Sequence, residues 1–249
     1  MGVHRREFLE LVAASGALAS RARAQSANPF GAFAVRQFGA TGDGKTLDTL
    51  AVNRAIVTAA AAGGGTVHFP AGTYACHSIR LQSFVALYLH PGATILAAPS
   101  GGYDAAESNA PWESYQDFGH NHWHNSLIWG EHIRDVGIFG PGLIWGRGLS
   151  RGEVAEAGVP AADTQGAADK AIALKHCNNV ALRDFAILAG GHFGILASGV
   201  DNLTLDHLKI DTNRDGINVD SCRNVRNFRL QRKLALRRRH LSQELIRPW

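Results

Sequence analysis

A short motif returns at a nearly constant interval in the second half of the chain. An asparagine followed by an apolar residue stands at Asn179, Asn202 and Asn224, which are 23 and 22 residues apart. Residues 133–138 fit the same repeat and lie 44 residues before residues 177–182. This interval equals two periods if residues 150–169 are partly a loop insertion. A parallel β-helix requires such a period, because each coil must return its strand beneath the previous one. The repeat therefore predicts a parallel β-helix, and a β-sandwich with coincidental spacing is the alternative.

One helix is predicted ahead of the repeat. Asp48 can cap a helix that carries apolar residues from Leu50 to Ala59, and the glycines at 63–65 end it. Residues 33–38 alternate apolar and polar side chains, as a strand does. From residue 66 to 225 short β-rich runs are separated by Gly, Asn and Asp. We therefore expect an all-β solenoid with one short N-terminal capping helix.

Composition narrows the function classes. The chain has 249 residues, 45% of them apolar, and a formal net charge of +4, which fits one globular domain or two. No stretch approaches the roughly 20 unbroken apolar residues of a membrane span. The positive charge is concentrated at the ends, and residues 226–249 hold seven Arg and one Lys against one Glu. The charge of the chain therefore does not indicate a nucleic-acid or membrane partner, and we expect neither. We also expect the folded chain to be a monomer.

Three cysteines are too few and too scattered for a disulfide framework or a zinc site. Cys177 and Cys222 share a column of the predicted repeat and lie two coils apart. At the strand spacing of a sheet this separation is roughly 9 to 10 Å, too far for a disulfide. We expect free thiols.

Residues 1–24 resemble a cleavable export signal. A basic head with adjacent Arg5 and Arg6 precedes an apolar and small run, which ends in Ala22-Arg23-Ala24. The paired arginines resemble a twin-arginine signal, which would place the mature protein in the periplasm or outside the cell. A short amphipathic helix with chance arginines is the alternative.

Three stretches, residues 34–44, 140–148 and 213–225, resemble glycoside hydrolase family 28, the polygalacturonase and rhamnogalacturonan hydrolase group. The resemblance covers about residues 30–225. It implies a right-handed parallel β-helix that hydrolyses pectin-type polysaccharides containing galacturonic acid. It further implies inversion at the anomeric carbon, without a metal or organic cofactor. The domain layout predicted here is a signal at 1–24, a partial β-helix at 25–225 and a basic tail at 226–249.

The resemblance also implies site residues. Asn213-Arg214-Asp215 matches the first motif of the catalytic groove, with Arg where Thr is common. It makes Asp215 a catalytic carboxylate and Asn213 a substrate-binding residue. His192, one coil earlier, would lie beside them and bind substrate; membership of an asparagine-like turn ladder is the alternative. An inverting enzyme needs two carboxylates roughly 6.5 to 9.5 Å apart.

The second carboxylate motif should follow Asp215 by about 20 to 22 residues, where Ala235-Leu236-Arg237 stands. The residues from Arg226 onward contain no Gly and lose the coil period. We therefore expect a C-terminally truncated family member with impaired catalysis. A non-catalytic carbohydrate-binding β-helix is one alternative. A polysaccharide lyase, which would need clustered Asp for calcium and an arginine base, is another.

Alternating histidines form a further candidate cluster. His120, His122 and His124 would face one way on an extended strand. Three imidazoles can bind zinc, but His, Asn and Trp side chains beside a groove serve equally well to bind sugar hydroxyls. We expect no metal at this cluster.

Overall fold

The protein is described by a computed structural model, which covers residues 33–108, 118–152, 155, 159–212, 214–229 and 231–232. The predicted signal at 1–24, Asn213 and most of the basic tail lie outside the described residues. A 3-10 helix spans Val35–Phe38, and the α-helices are α1 (Thr49–Ala61) and α2 (Phe118–Asn121). No helix within the described ranges is long and apolar enough to cross a membrane.

The strands of the described residues are short, with two to six residues each. They are β1 (Asp43–Leu47), β2 (Gly65–Phe69), β3 (Gly72–Cys76), β4 (Ile79–Arg80), β5 (Val85–Leu89), β6 (Ala93–Ala97), β7 (Ser126–Glu131), β8 (Arg134–Phe139), β9 (Leu143–Trp145), β10 (Lys170–Lys175), β11 (Asn178–Arg183), β12 (Ala186–Leu188), β13 (Phe193–Ser198), β14 (Asp201–Asp206), β15 (Lys209–Asp211), β16 (Asp215–Asp220), β17 (Arg223–Phe228) and β18 (Gln231–Arg232).

These strands form three parallel sheets. Sheet 1 has the order β1-β3-β6-β9-β12-β15-β18, sheet 2 has β2-β5-β8-β11-β14-β17, and sheet 3 has β4-β7-β10-β13-β16. Successive strands along the chain belong to different sheets, and each strand pairs with its counterpart one coil away. The architecture is a right-handed parallel β-helix, as predicted.

Apolar ladders fill the interior. In sheet 3 an isoleucine column runs through Ile79, Ile128, Ile172, Ile195 and Ile217, each paired with the next. The first four are fully buried. Each coil thus buries its inner face against its neighbours, which is the source of stability in a solenoid.

The repeated asparagines have a backbone reason. Asn179, Asn202 and Asn224 have φ of 54°, 59° and 53°, in the left-handed region that Asn tolerates better than most residues. Asn202 Nδ2 donates to Asn179 Oδ1 at 2.7 Å, and Asn179 Nδ2 donates to Asp135 Oδ1 at 2.9 Å. The motif therefore marks the start of β11, β14 and β17 in sheet 2, and side-chain hydrogen bonds through Asn179 and Asn202 link successive coils there.

Two expectations about the coil period are wrong. β8 pairs directly with β11, with Arg134 opposite Asn178, so their 44-residue separation is one coil with an insertion rather than two periods. The period also does not end at Arg226, because β17 continues to Phe228 and β18 pairs with β15. The strands pair through their backbones, so the polar and basic side chains from Arg226 onward do not prevent the coil from continuing.

The N-terminal cap differs locally from its prediction. The stretch at 33–38 contains the 3-10 helix, and α1 buries Val52, Ala55 and Ile56 against the first coil. Asp48 makes no side-chain cap to α1. Its carboxylate instead accepts hydrogen bonds from the backbone N–H of Thr41 and Gly42, at 2.7 and 3.0 Å.

The cysteines are all free, as predicted. Asn178 pairs with Asp201 and Asp201 with Arg223, so Cys177 and Cys222 lie two coils apart. Burial raises the pKa of the Cys177 thiol to about 11. This thiol is therefore a packing group rather than a nucleophile.

Candidate functional site

Four consecutive coils place a polar residue at the same point, directly before a strand of sheet 3. The register aligns Ser126, Lys170, Phe193 and Asp215 across β7, β10, β13 and β16. The residues just before these form the polar column: Asn125, Asp169, His192 and Arg214. Amide, carboxylate, imidazole and guanidinium are thus stacked along one edge of sheet 3.

A buried ion pair anchors the middle of the polar column. Asp169 and Lys170 have side chains that are 0% exposed, and Lys170 Nζ contacts Asp169 Oδ1. Asn125 Nδ2 donates to the same carboxylate oxygen at 3.2 Å, and Asn125 Oδ1 lies 3.4 Å from Lys170 Nζ. Such a pair is costly to break, because either partner alone would be a buried charge.

His192 connects this ion pair to the exposed end of the polar column. Arg214 Nη2 donates to His192 Nε2 at 2.9 Å, so the ring proton sits on Nδ1. Nδ1 lies 3.9 Å from Asp169 Oδ2. His192 is 1% exposed, whereas Arg214 is exposed. The buried groups therefore fix the position of a solvent-facing guanidinium.

Asp215 follows Arg214 at the start of β16, the edge strand of sheet 3, and its side chain is exposed. It pairs with Phe193, whose ring stacks on His192 at 4.3 Å and meets His120 edge-on at 4.7 Å. Further along β16, Asn218 Nδ2 lies 3.3 Å from His120 Nε2. The Asp215 carboxylate is thus open to solvent at the start of β16, and an amide and an imidazole meet further along the strand.

A second cluster of polar side chains, centred on His124, lies on the outer face of β7. His124 Nδ1 lies 3.0 Å from Glu107 Oε1, and its Nε2 lies 3.0 Å from Glu131 Oε2. Lys175 Nζ lies 4.7 Å from the centre of the Trp123 ring. These contacts place charged and aromatic side chains together on the outer face of sheet 3.

Asp104 continues this surface toward the N-terminal coils. It accepts from Arg80 Nε at 2.8 Å and from Trp129 Nε1 at 2.8 Å. Burial of Asp104 raises its pKa, but the hydrogen bonds from Arg80 and Trp129 together outweigh burial and leave the pKa below its usual value. The carboxylate is therefore held ionised.

The predicted arrangement of three histidines on one strand face is wrong. His120 lies in helix α2, His122 is 1% exposed, and His124 bridges two glutamates. The helical turn breaks the alternation that an extended strand would have imposed. Within the described ranges, no group of three or more His, Cys, Asp or Glu side chains is arranged to hold a metal ion.

The predicted site residues are only partly described. Asp215 and His192 lie in neighbouring coils as expected, whereas Asn213 lies outside the described residues. Substrate contact by His192 stays a prediction, and its burial means that it reaches the groove through Arg214. Sequence reasoning missed Asp169 and Lys170. The repeat could have found them, because they stand one coil before His192 and Phe193.

Comparison with known proteins identifies relatives. Residues 32–227 match the family model described as rhamnogalacturonase A/epimerase, pectate lyase-like. Mannuronan C5-epimerase AlgE3 of Azotobacter vinelandii is 45% identical over 69 residues, which are 28% of this chain and 4% of that protein. The alignment thus spans a small part of this relative.

Solved structures share the fold at low identity. The hyperthermoactive exopolygalacturonase of Thermotoga maritima aligns over 81% of this chain and 52% of its own, with 17% identity and a TM-score of 0.65. The family 28 exopolygalacturonase of Yersinia enterocolitica aligns over 79% of this chain and 42% of its own, with 24% identity and a TM-score of 0.60. At this identity the likeness shows the fold, and the chain spans about half of each enzyme or less.

Proposed function

Because the chain belongs to the rhamnogalacturonase A/epimerase, pectate lyase-like family, we propose that it acts on pectin-type polysaccharides along sheet 3. The reaction proposed is hydrolysis of the bond between galacturonic-acid units, as in glycoside hydrolase family 28. The observation that carries the proposal is the exposed carboxylate of Asp215, which follows directly after Arg214 in the chain, together with the hydrogen bond by which His192 holds the Arg214 guanidinium. The proposal includes export of the chain to the periplasm or the outside of the cell, directed by the signal predicted at residues 1–24.

Arg214 supplies recognition in this proposal. A guanidinium pairs well with a carboxylate, and each galacturonate unit carries one. His192 and the buried Asp169 act as positioning residues, since they hold Arg214 without reaching solvent themselves. The fixed cation would orient a uronate unit next to Asp215.

Asp215 supplies one half of the chemistry. In inverting hydrolysis one carboxylate removes a proton from water as the water oxygen attacks the anomeric carbon, and a second carboxylic acid protonates the leaving oxygen. The carboxylate of the polar column, Asp169, is fully buried against Lys170 and is unsuited to that role. We therefore propose that this chain hydrolyses the polysaccharide slowly and that it keeps its ability to bind the polysaccharide even though its catalysis is impaired.

A second reaction is favoured by one observation, the 45% identity to a mannuronan C5-epimerase over 69 residues. Epimerases and lyases remove the proton at C5 of a uronate, which needs a base and a cation on the uronate carboxylate rather than two carboxylates. His120 and Arg214 could fill these roles at the same place. A sugar-binding site without turnover is the third possibility.

One experiment separates these reactions. Polygalacturonate is incubated with the chain in deuterated water, and reducing ends, unsaturated products and deuterium at C5 are measured. Hydrolysis releases reducing ends alone, and Asp215→Asn is expected to lower that release by about 10²- to 10⁴-fold. Asp220→Asn, an exposed carboxylate at the other end of β16, is the matched control and should retain activity. Unsaturated product, C5 deuterium, or an active Asp215→Asn variant would refute hydrolysis through Asp215.

A further inference from the structure

The outer face of sheet 2 carries an aromatic ladder that the site on sheet 3 does not use. His68, Tyr88 and Phe139 are paired in register on three successive coils. Burial alternates along β2 and β5, so these side chains point away from the core between buried neighbours. His68 and Tyr88 have ring centres 5.9 Å apart, and all three side chains are partly exposed.

A column of small residues runs beside the aromatic ladder. The paired positions are Thr66, Ala86, Gly137, Ala181 and Thr204. Gly137 has a specific reason to lack a side chain, because a Cβ there would collide with the ring of Phe139. The glycine therefore allows the Phe139 ring to lie back over the sheet and form one wall of a shallow groove.

A pocket of about 460 Å³ lies where this groove meets the turns that lead into sheet 1. Tyr88 and Phe139 line one part of it, and Asp184, His207 and Lys209 line another. His207 Nδ1 lies 2.9 Å from Asp184 Oδ1, so these two groups satisfy each other. Lys209 is exposed and has no ion-pair partner within the described ranges.

We propose that this pocket and the aromatic ladder form a second binding site for a uronate-containing saccharide, separate from Asp215. Aromatic rings bury the apolar faces of sugar rings, and the Lys209 ammonium would pair with a uronate carboxylate. The Asp184–His207 pair offers an acceptor and a donor to hydroxyl groups. A chain bound along the aromatic ladder would follow the axis of the solenoid, parallel to a chain on sheet 3. The inference rests on the proposed function for its choice of sugar.

The test is a titration of the full chain, labelled with ¹⁵N, with trigalacturonate and with its neutral methyl ester. Amide shifts are expected around Phe139 and Lys209 as well as around Asp215. Phe139→Ala is expected to weaken binding at sheet 2 by about tenfold for both ligands. Lys209→Gln should weaken binding of the charged ligand there and leave the ester unaffected. Val57→Ala, exposed on α1, is the control and should change neither site.

The outcomes distinguish the two proposals. Gly137→Ala should displace the Phe139 ring and weaken binding at sheet 2 as Phe139→Ala does, which checks the groove without removing the aromatic side chain. Shifts confined to the surroundings of Asp215 overturn the second site and leave the proposed function intact. Shifts confined to sheet 2 support the second site and count against the site on sheet 3. An absence of shifts at both places overturns both proposals. A sheet 2 response that survives Phe139→Ala and Lys209→Gln together overturns the second site alone.

Discussion

The coils in the middle of the solenoid and the last described coil share one register but differ in what covers them. Ile195 in β13 is fully buried between β10 and β16, whereas its partner Ile217 in β16 is only partly buried. The same contrast holds in the polar column, where Asp169 is enclosed and Arg214 is exposed. Burial therefore stabilises the middle coils more than the last described coil, whose polar groups are open to solvent.

The largest effect is expected from the buried ion pair. Lys170→Met leaves the Asp169 carboxylate buried without a cation, which should lower the free energy of unfolding by about 3 to 5 kcal/mol. Arg214→Met, in the last coil of the same polar column, should change it by less than about 1 kcal/mol. Urea unfolding measures both. Equal losses would show that the two coils are equally enclosed, and Asp169→Asn combined with Lys170→Met should recover much of the first loss.

The isoleucine column gives the next largest effect. Ile195→Ala should lower the free energy of unfolding by about 2 to 5 kcal/mol, because it opens a cavity between two coils. Ile217→Ala removes the same atoms from a partly covered position and should cost about half as much or less. The measurement is urea unfolding of both variants under one set of conditions. A larger loss for Ile217→Ala would contradict the assignment of the last coil as the less enclosed one.

The asparagine ladder gives a smaller effect. Asn202→Ala should destabilise the protein by about 1 to 2 kcal/mol, since alanine tolerates the left-handed backbone poorly and cannot bond to Asn179. Asn202→Gly relieves the backbone cost and should recover part of the loss. Asn224→Ala in the last coil should cost less than Asn202→Ala. Thermal melts of the three variants check this order, and an equal loss for alanine and glycine would exclude the backbone explanation.

The smallest effect is expected from acid, which acts in the first coils through His68 and His90. Burial lowers the pKa of His68, with a further contribution from His90, and burial also lowers the pKa of His90. The folded state therefore favours the neutral rings, and their neutrality contributes to the free energy of unfolding. This contribution is complete above the unfolded pKa of about 6.5 and is lost as the pH falls through the lowered folded pKa. The urea midpoint should fall as the pH is lowered below the unfolded pKa of about 6.5, and less steeply in His68→Gln. An unchanged slope in the variant would exclude these rings as the cause.

The sequence predicted the architecture because the β-helix repeats its local rules. Asn179, Asn202 and Asn224 mark one turn of each coil, and their spacing was sufficient to predict stacked parallel strands and the separation of the cysteines. The prediction that the 44-residue interval contains two coils is wrong. Spacing alone cannot distinguish two coils from one coil whose insertion is as long as a second coil.

The candidate site was less predictable because its contacts cross between coils. Asp215 could be singled out by its motif, but nothing local to Lys170 indicates that it is fully buried against its neighbour in the chain. The two carboxylates around His124 come from 17 residues before it and 7 residues after it, on different segments. Such pairings depend on the path of the insertions, which repeat periodicity does not determine.

We propose that the last described coil, whose polar groups are open to solvent, binds the polysaccharide. Hydrogen exchange of the full chain, with and without polygalacturonate, tests it most directly by mass spectrometry of the peptide that covers β16. Bound polymer is expected to slow exchange around Asp215 in the native protein and to have little effect in Arg214→Gln. Binding at the last described coil is refuted if polymer leaves β16 unprotected, or if Arg214→Gln is protected as strongly as the native chain.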